Sequence, residues 1–443
     1  MTRLKRPALM GAAVLAFVSV TTGCGGDSGS GSGDGGSKVI TIWDQEQSAK
    51  DIAQGYDTVV KEFEKEHPGV TVKVETFPFA QYRDKMLVAM KGGTGPDVMT
   101  LDQVWTPEFA AAGLIEPLDD KIGSSDVIKE DDFFKGAWES NQFQDQMWGV
   151  PLNFDVWEQM YYNADLFKAA GLDPDKPPTT WSEWNDAAKK LNNPPNSFGM
   201  GLIGCKDESS SVLTDSLIFS NGGEILDDNG DVAFDSPENV EAFEQYQSLL
   251  AYAPNGSAGA CEQDIVNQST AGKAAMILDG SWQQDTMKDA AKFDWRIALP
   301  PAPDGKKFVG ALGGWNLAVN AKSDNSDLAF ELIEDLSEPE NQAAVNSLIP
   351  ALQSAGEKFV NDNRKQPEVI LDALAGGRPR PASPVYPQLS QIQQSAVQDI
   401  IGGADVKSTL SDAADQMQEV IDSNSQPGGM RARQSAGHAC PPP

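Results

Sequence analysis

Residues 148–173 read WGVPLNFDVWEQMYYNADLFKAAGLD, and their reading decides how the rest of the chain is arranged. Trp148 to Val156 is an extended apolar run broken by Pro151, with Asn153 and Asp155 set among aromatic neighbours. A helix signal follows from Asn163 to Gly171. Leu166, Phe167 and Ala170 give the apolar spacing, and Gly171 tolerates the positive φ of a helix stop. A polar pair between a proline-interrupted strand and a new strand–helix unit predicts a crossing between two lobes. Ligand pockets favour such interfaces, so Asn153 and Asp155 are candidate binding residues.

Upstream of the crossing, Lys38 to Trp43 reads as a buried strand. A helix follows with Ile52, Tyr56, Val59 and Phe63 on one face, and then the alternating strand Val70, Val72, Val74. Gln81 to Met90 is a helix, the turn GGTGP leads into a strand ending at Leu101, and Asp102 and Trp105 stand just past it. This alternation predicts an α/β lobe with a largely parallel sheet. Downstream, Thr180-Trp181-Ser182-Glu183 is a capping box and Ser236-Pro237 a second helix start. Lys273 to Leu278 and Arg296 to Leu299 are strands, and Pro300 to Pro303 marks a return crossing toward the strand within Phe308–Asn320. The expected organisation is lobe 1 at residues 38–152 and 302–350, and lobe 2 at residues 153–301 and 351–425.

The 443 residues suffice for two or three domains with sizeable cores. With 34 Lys plus Arg against 65 Asp plus Glu, the formal net charge is −31. That balance argues against nucleic acid and against anionic lipid head groups, and favours a neutral or cationic ligand. At the N-terminus, Arg3, Lys5 and Arg6 precede the apolar run Ala8 to Val20, too short for a mature membrane span. The following Val20-Thr21-Thr22-Gly23-Cys24 resembles the bacterial lipobox, with Thr21 where Leu is usual. That resemblance implies a signal peptide over residues 1–23, a lipid on Cys24 and attachment to the outer face of the cell membrane. Residues 24–37 read as a flexible Gly/Ser tether and residues 426–443 as a disordered tail. An exported body meets an oxidising compartment, so Cys205 and Cys261 are expected to pair, with Cys440 left free. Two histidines and no CxxC give no zinc site, and no metal or cofactor is expected.

Ligands of open α/β sheets bind beyond the carboxyl ends of the strands. That rule selects Glu46 after the first strand, Asp102 with Trp105, and Asp279 to Trp282; the crossing adds Asn153 and Asp155. Trp315 follows a Gly-rich turn and joins the aromatic candidates. Carboxylates accept charge-assisted hydrogen bonds from hydroxyls, and indoles cover the apolar face of a pyranose with few rotatable bonds to freeze. The plainer reading is that Trp43, Trp181 and Trp184 pack in a core, and that one acidic residue among 65 is a solvated charge. GGTGPD lacks the Lys-Ser/Thr of a phosphate loop. The stretch Asp227 to Asp231 lacks the Gly and Glu of a calcium loop, and its Asn229-Gly230 suits a hairpin turn.

The pieces HPGVTVKVE, GGTGPDVMTLD, AAGLIEPLDD, the crossing stretch, AAMILDGSW and GGWNLAVN together resemble the carbohydrate-binding proteins of bacterial ABC importers. The resemblance spans Val39 to Ile421 and is nearest the trehalose/maltose-type binders. It implies the two-lobed, type II periplasmic-binding-protein-like α/β fold, each lobe a mixed sheet flanked by helices and joined by a hinge. It also implies a monomer, a small oligosaccharide ligand, permease subunits as partners and no catalysis. Carried onto this chain, the pattern assigns ligand contact to Glu46, Asp102, Asp155, Trp282, Gly314 with Trp315, and Arg380, with Arg378 as the competing arginine. Phe154 stands where the pattern often shows Tyr. The alternatives are a secreted glycoside hydrolase using two of the carboxylates, which requires a raised pKa at a set separation, or a binder of a glycerophosphodiester.

Overall fold

The computed structural model describes residues 38–45, 50–227 and 229–425. Cys24, Glu46, Cys440 and the expected signal, tether and tail lie outside the described residues. Among the described residues a seven-stranded and a three-stranded sheet, each backed by helices, divide the chain from Lys38 onward, with a small hairpin of Gln142–Phe143 and Gln146–Met147 beside them. The first half of the large sheet is built by alternation. β1 (Lys38–Gln45) buries Ile40 and Ile42 completely. α1 (Lys50–Glu66) lays Ile52, Tyr56, Val59 and Phe63 on the sheet, the face expected from its 3.6-residue period. β2 (Val70–Phe77) pairs in parallel with β1, Ile40 opposite Val72. α2 (Phe79–Gly92) stops at Gly93, whose φ is 74°. β3 (Val98–Asp102) returns beside β1, buried along its whole length.

The chain then crosses. β4 (Val150–Val156) belongs to the large sheet, whereas β5 (Gln159–Asn163) is the central strand of the small one. β6 (Met276–Asp279) and β7 (Trp295–Ala298) flank β5, both antiparallel to it. β8 (Ala311–Val319) returns between β3 and β4, antiparallel to both. The two-residue strands β9 (Ile349–Pro350) and β10 (Arg378–Pro379) attach to β4 and β8. The large sheet therefore runs β9-β4-β8-β3-β1-β2, with β10 on the start of β8. It is mixed because β8 re-enters from the small sheet against the direction of β3.

β4 stays paired with β8, through one register shift at Trp315/Asn316, as far as Val156 opposite Leu312, so the passage between sheets is Trp157–Glu158. Asn153 and Asp155 thus sit within the large sheet, on a strand that ends at Val156, four residues past Leu152, where the sequence suggests leaving it. After residue 350 the chain alternates: helix Gln353–Asn363 packs on β9, β10 on β8, and helix Tyr386–Ile401 on helix Glu208–Ser220. Thr180 and Glu183 form the expected capping box, and Ser236 Oγ accepts from Asn239 N. Helix Ser326–Leu336 begins after Asn325, and Ser326 Oγ donates to Glu116 at 2.5 Å. Cys205 and Cys261 are disulfide-bonded, with Cα atoms 5.2 Å apart.

Phe63 is fully enclosed between α1 and the sheet. Truncating it removes a ring and leaves a void in a close-packed interior. Phe63→Ala is expected to cost about 3–5 kcal/mol, read as a lower urea midpoint at unchanged slope.

Candidate functional site

A cavity of about 560 Å³ opens between the two sheets. Its large-sheet wall is Gln45 at the end of β1, Asp102 at the end of β3, Asp155 on β4, and Gly314 with Trp315 on β8. The opposite wall is Trp282, Gln283 and Asp285 following β6, with Glu262 and Gln263 from the start of helix Glu262–Thr270. Trp157, in the passage itself, joins the two walls. Strand ends and a crossing point converge here because antiparallel β8 lies between β3 and β4, setting Trp315 opposite both Asp102 and Asn153.

Glycines decide where the indoles lie. A Cβ on Gly313 would fall 2.0 Å from Trp157 Nε1, and one on Gly280 would fall 2.0 Å from the Trp282 ring. On Gly314 a Cβ would meet the Asn153 carbonyl oxygen at 2.3 Å, so GGW also permits close strand pairing. Trp157 and Trp282 meet edge to face, 5.2 Å between centroids. The Trp282 indole N–H donates to Glu262 Oε1 at 3.0 Å, and Gln283 Nε2 donates to the same oxygen at 2.9 Å. Trp315 packs edge-on against Trp105 at 5.6 Å, with Phe79 at 6.0 Å from Trp315. Such aromatic frames are stiff and large in area.

The polar groups are tied as firmly. Arg380, its side chain wholly buried, reaches Asp102 Oδ1 at 2.9 Å and Glu208 Oε1 at 2.7 Å. Tyr386 and Ser390 hydroxyls also donate to Glu208, at 2.7 and 2.6 Å. Arg364, buried behind the cavity, pairs with Asp285 at 3.2 Å. Asp155 accepts from the Ser281 hydroxyl with one oxygen, while the other is buried without a protein partner. Burial pushes the Asp155 carboxyl up to about 7, against the opposing pull of Ser281 and Arg364. Burial likewise raises Asp279, helped by Glu262.

The cavity brings together Asp102, Asp155, Trp282, Gly314 and Trp315. Three other candidates stand behind its wall. Asn153 spends its amide on Asn346 Oδ1 (2.5 Å) and accepts from the Trp315 N–H (3.1 Å). Trp105 is a buried prop for Trp315. Arg380 is buried beneath Asp102, whereas Arg378 pairs with Glu224 at 3.1 Å. Glu46 lies outside the described residues, one position beyond Gln45. Trp157, Glu262 and Asp285 were not selected from the sequence. The GG pair that makes room for Trp157 was the available signal; Glu262 follows Cys261 at a helix start and carried none.

A carboxyl raised to about 7 is worth most to stability where it is protonated in both states, below its ordinary 3.8. Its contribution is lost as pH rises through 7, because folding then requires a buried charge or a proton. Asp155→Asn removes that loss. The variant is expected to show a shallower fall in melting temperature than the parent between pH 4 and 7, checked by thermal scans in matched buffers.

Comparison with known proteins agrees with this architecture. The galactooligosaccharide-binding protein of Bacillus subtilis (strain 168) is 26% identical over 91% of this chain and 94% of its own length. The maltooligosaccharide ABC transporter solute-binding lipoprotein of Streptococcus pneumoniae serotype 4 is 25% identical over 94% of this chain and 97% of its own. An ABC transporter solute-binding protein from Thermotoga lettingae, solved with α-D-tagatose, superposes with a TM-score of 0.76 at 29% identity. That match covers 87% of this chain and all of that one. The two-lobed type II binding-protein fold expected from the sequence is the one that structure shares with this chain. Residues 48–343 match the family model of these proteins, and the chain belongs to the bacterial extracellular solute-binding protein family.

Proposed function

We propose that this protein captures a small oligosaccharide between its two sheets by hinge closure and delivers it to the permease of an ABC importer. The observation that carries this reading is the composition of the cavity at the crossing. Asp102 and Asp155 stand on one wall, Glu262 and Asp285 on the other, and Trp157, Trp282 and Trp315 lie among them. Hydroxyls donate to carboxylates, and Asp155 Oδ1 is already desolvated and awaiting a donor. A ligand that leaves such groups unpaired binds far more weakly. Trp157 and Trp282 line the cavity with large aromatic area, and about 560 Å³ falls in the range of small-ligand sites. Both walls contribute, so a bound sugar favours the closed arrangement by its differential affinity for it.

The relatives named for galacto- and maltooligosaccharides support an oligosaccharide ligand. The pattern of the trehalose/maltose-type binders narrows it to an α-glucoside disaccharide. The lipobox-like Cys24 would anchor the protein outside the cell. No Lys, Arg or His is among the described residues lining the cavity, which argues against a glycerophosphodiester. The raised Asp155 carboxyl beside other carboxylates favours one other reading, a glycoside hydrolase.

Calorimetric titration with trehalose, maltose, sucrose, maltodextrins and cellobiose separates these readings. One sugar is expected to bind with a stoichiometry of one and no release of glucose. Trp282→Ala should weaken that binding by about 2 kcal/mol, near thirtyfold. Sustained glucose release would establish an enzyme, and silence across all five would remove the α-glucoside assignment.

A further inference from the structure

The disulfide lies beside the cavity without lining it. Cys205 immediately precedes the segment holding Asp207, which lines the cavity, and Glu208, which holds Arg380. Cys261 caps the helix whose first two residues, Glu262 and Gln263, line the cavity from the other side of the same wall. Both segments belong to the long excursion between β5 and β6, and are 56 residues apart in sequence. Besides the S–S bond, Gly204 and Cys205 N–H groups donate to Ala260 O at 3.0 and 3.1 Å.

Each segment positions a different part of the site. Glu208 holds Arg380, and Arg380 holds Asp102. Glu262 accepts from the Trp282 indole N–H and from Gln283, so it fixes the plane of the ring proposed to cover the sugar. The bonds at Ala260 alone leave a short two-bond backbone contact between segments that lead into two helices, and helix starts fray.

We infer that the Cys205–Cys261 bond is a positioning element of the binding site, aligning the Glu208–Arg380–Asp102 and Glu262–Trp282 linkages with each other. The inference deepens the oligosaccharide reading and rests on it for the ligand. In its absence the fold persists, because both segments retain their helices and the core beneath them, but the two contacts lose their common register.

The test uses the full-length chain carrying Cys205→Ser with Cys261→Ser, and a second pair with alanines, in an osmolyte that keeps both folded by far-UV circular dichroism. Hydrogen exchange without sugar is measured on residues 207–211 and 262–266, against core strand β5. Affinity is measured for whichever of trehalose, maltose, sucrose, maltodextrin or cellobiose binds the parent tightest. Faster exchange confined to the two segments, with affinity at least about tenfold weaker at a temperature well below melting, is expected; one charge-assisted hydrogen bond weighs that much. Unchanged exchange there, or unchanged affinity in the folded variants, would overturn the inference. Should no sugar bind the parent, the oligosaccharide reading fails, and the exchange result alone still decides whether the disulfide orders these segments.

Discussion

The interaction on which the site depends is the buried bridge made by Arg380. A guanidinium with no exposed side-chain surface is tolerable only with its charge compensated at close range and its donors satisfied. Asp102 from the end of β3 and Glu208 from a helix in the excursion between β5 and β6 supply that compensation, and the Leu312 carbonyl of β8 accepts at 3.3 Å. One side chain from the C-terminal third thereby ties three distant parts of the chain. Removing it would strand two carboxylates, a loss of about 3–5 kcal/mol for such pairs. The guanidinium also sits 5.7 Å from the Trp157 ring centroid, which links the ion bridge to the aromatic side of the cavity.

Around that bridge the protein buries more acid than it neutralises. Asp44 is raised to about 6 and Asp215 to about 8, each mainly by burial, and Glu158 rises for the same reason. Glu158 lies in the passage between the sheets and accepts from Ser216, whose oxygen in turn accepts from Ala311 N at the return into β8. The two crossings are thus joined by one serine. Such groups keep their protons to higher pH than solvent-exposed carboxyls do, so the strongly acidic composition shapes the interior as well as the surface.

Much of the fold was legible because it rests on local chemistry. Periodicity placed the buried face of α1, capping residues placed the starts near Thr180 and Ser236, and glycines marked the helix ends at Gly93 and Gly171. The cavity was partly legible, because strand ends in an open sheet face the crossing. What could not be read was how far β4 runs, since its exit depends on pairing with β8, more than 150 residues away. The burial of Arg380 and Asn153 was equally hidden. Both carry the chemistry of ligand contacts, and only the packing of β8 and helix Tyr386–Ile401 turns them into supports. Trp157 and Glu262 escaped notice because their positions follow from neighbours distant in sequence.

The central claim is that a sugar sits between the two sheets, held by carboxylates and indoles from both walls. The most direct measurement is a crystal structure of the protein grown with the sugar that titrates tightest. The account predicts one sugar ring against Trp282 or Trp157, with hydroxyls within hydrogen-bond distance of Asp102 and Asp155, and Arg380 still beneath Asp102 and out of contact. A sugar bound elsewhere, or one touching a single wall while Asp155 Oδ1 stays unpaired, would contradict it.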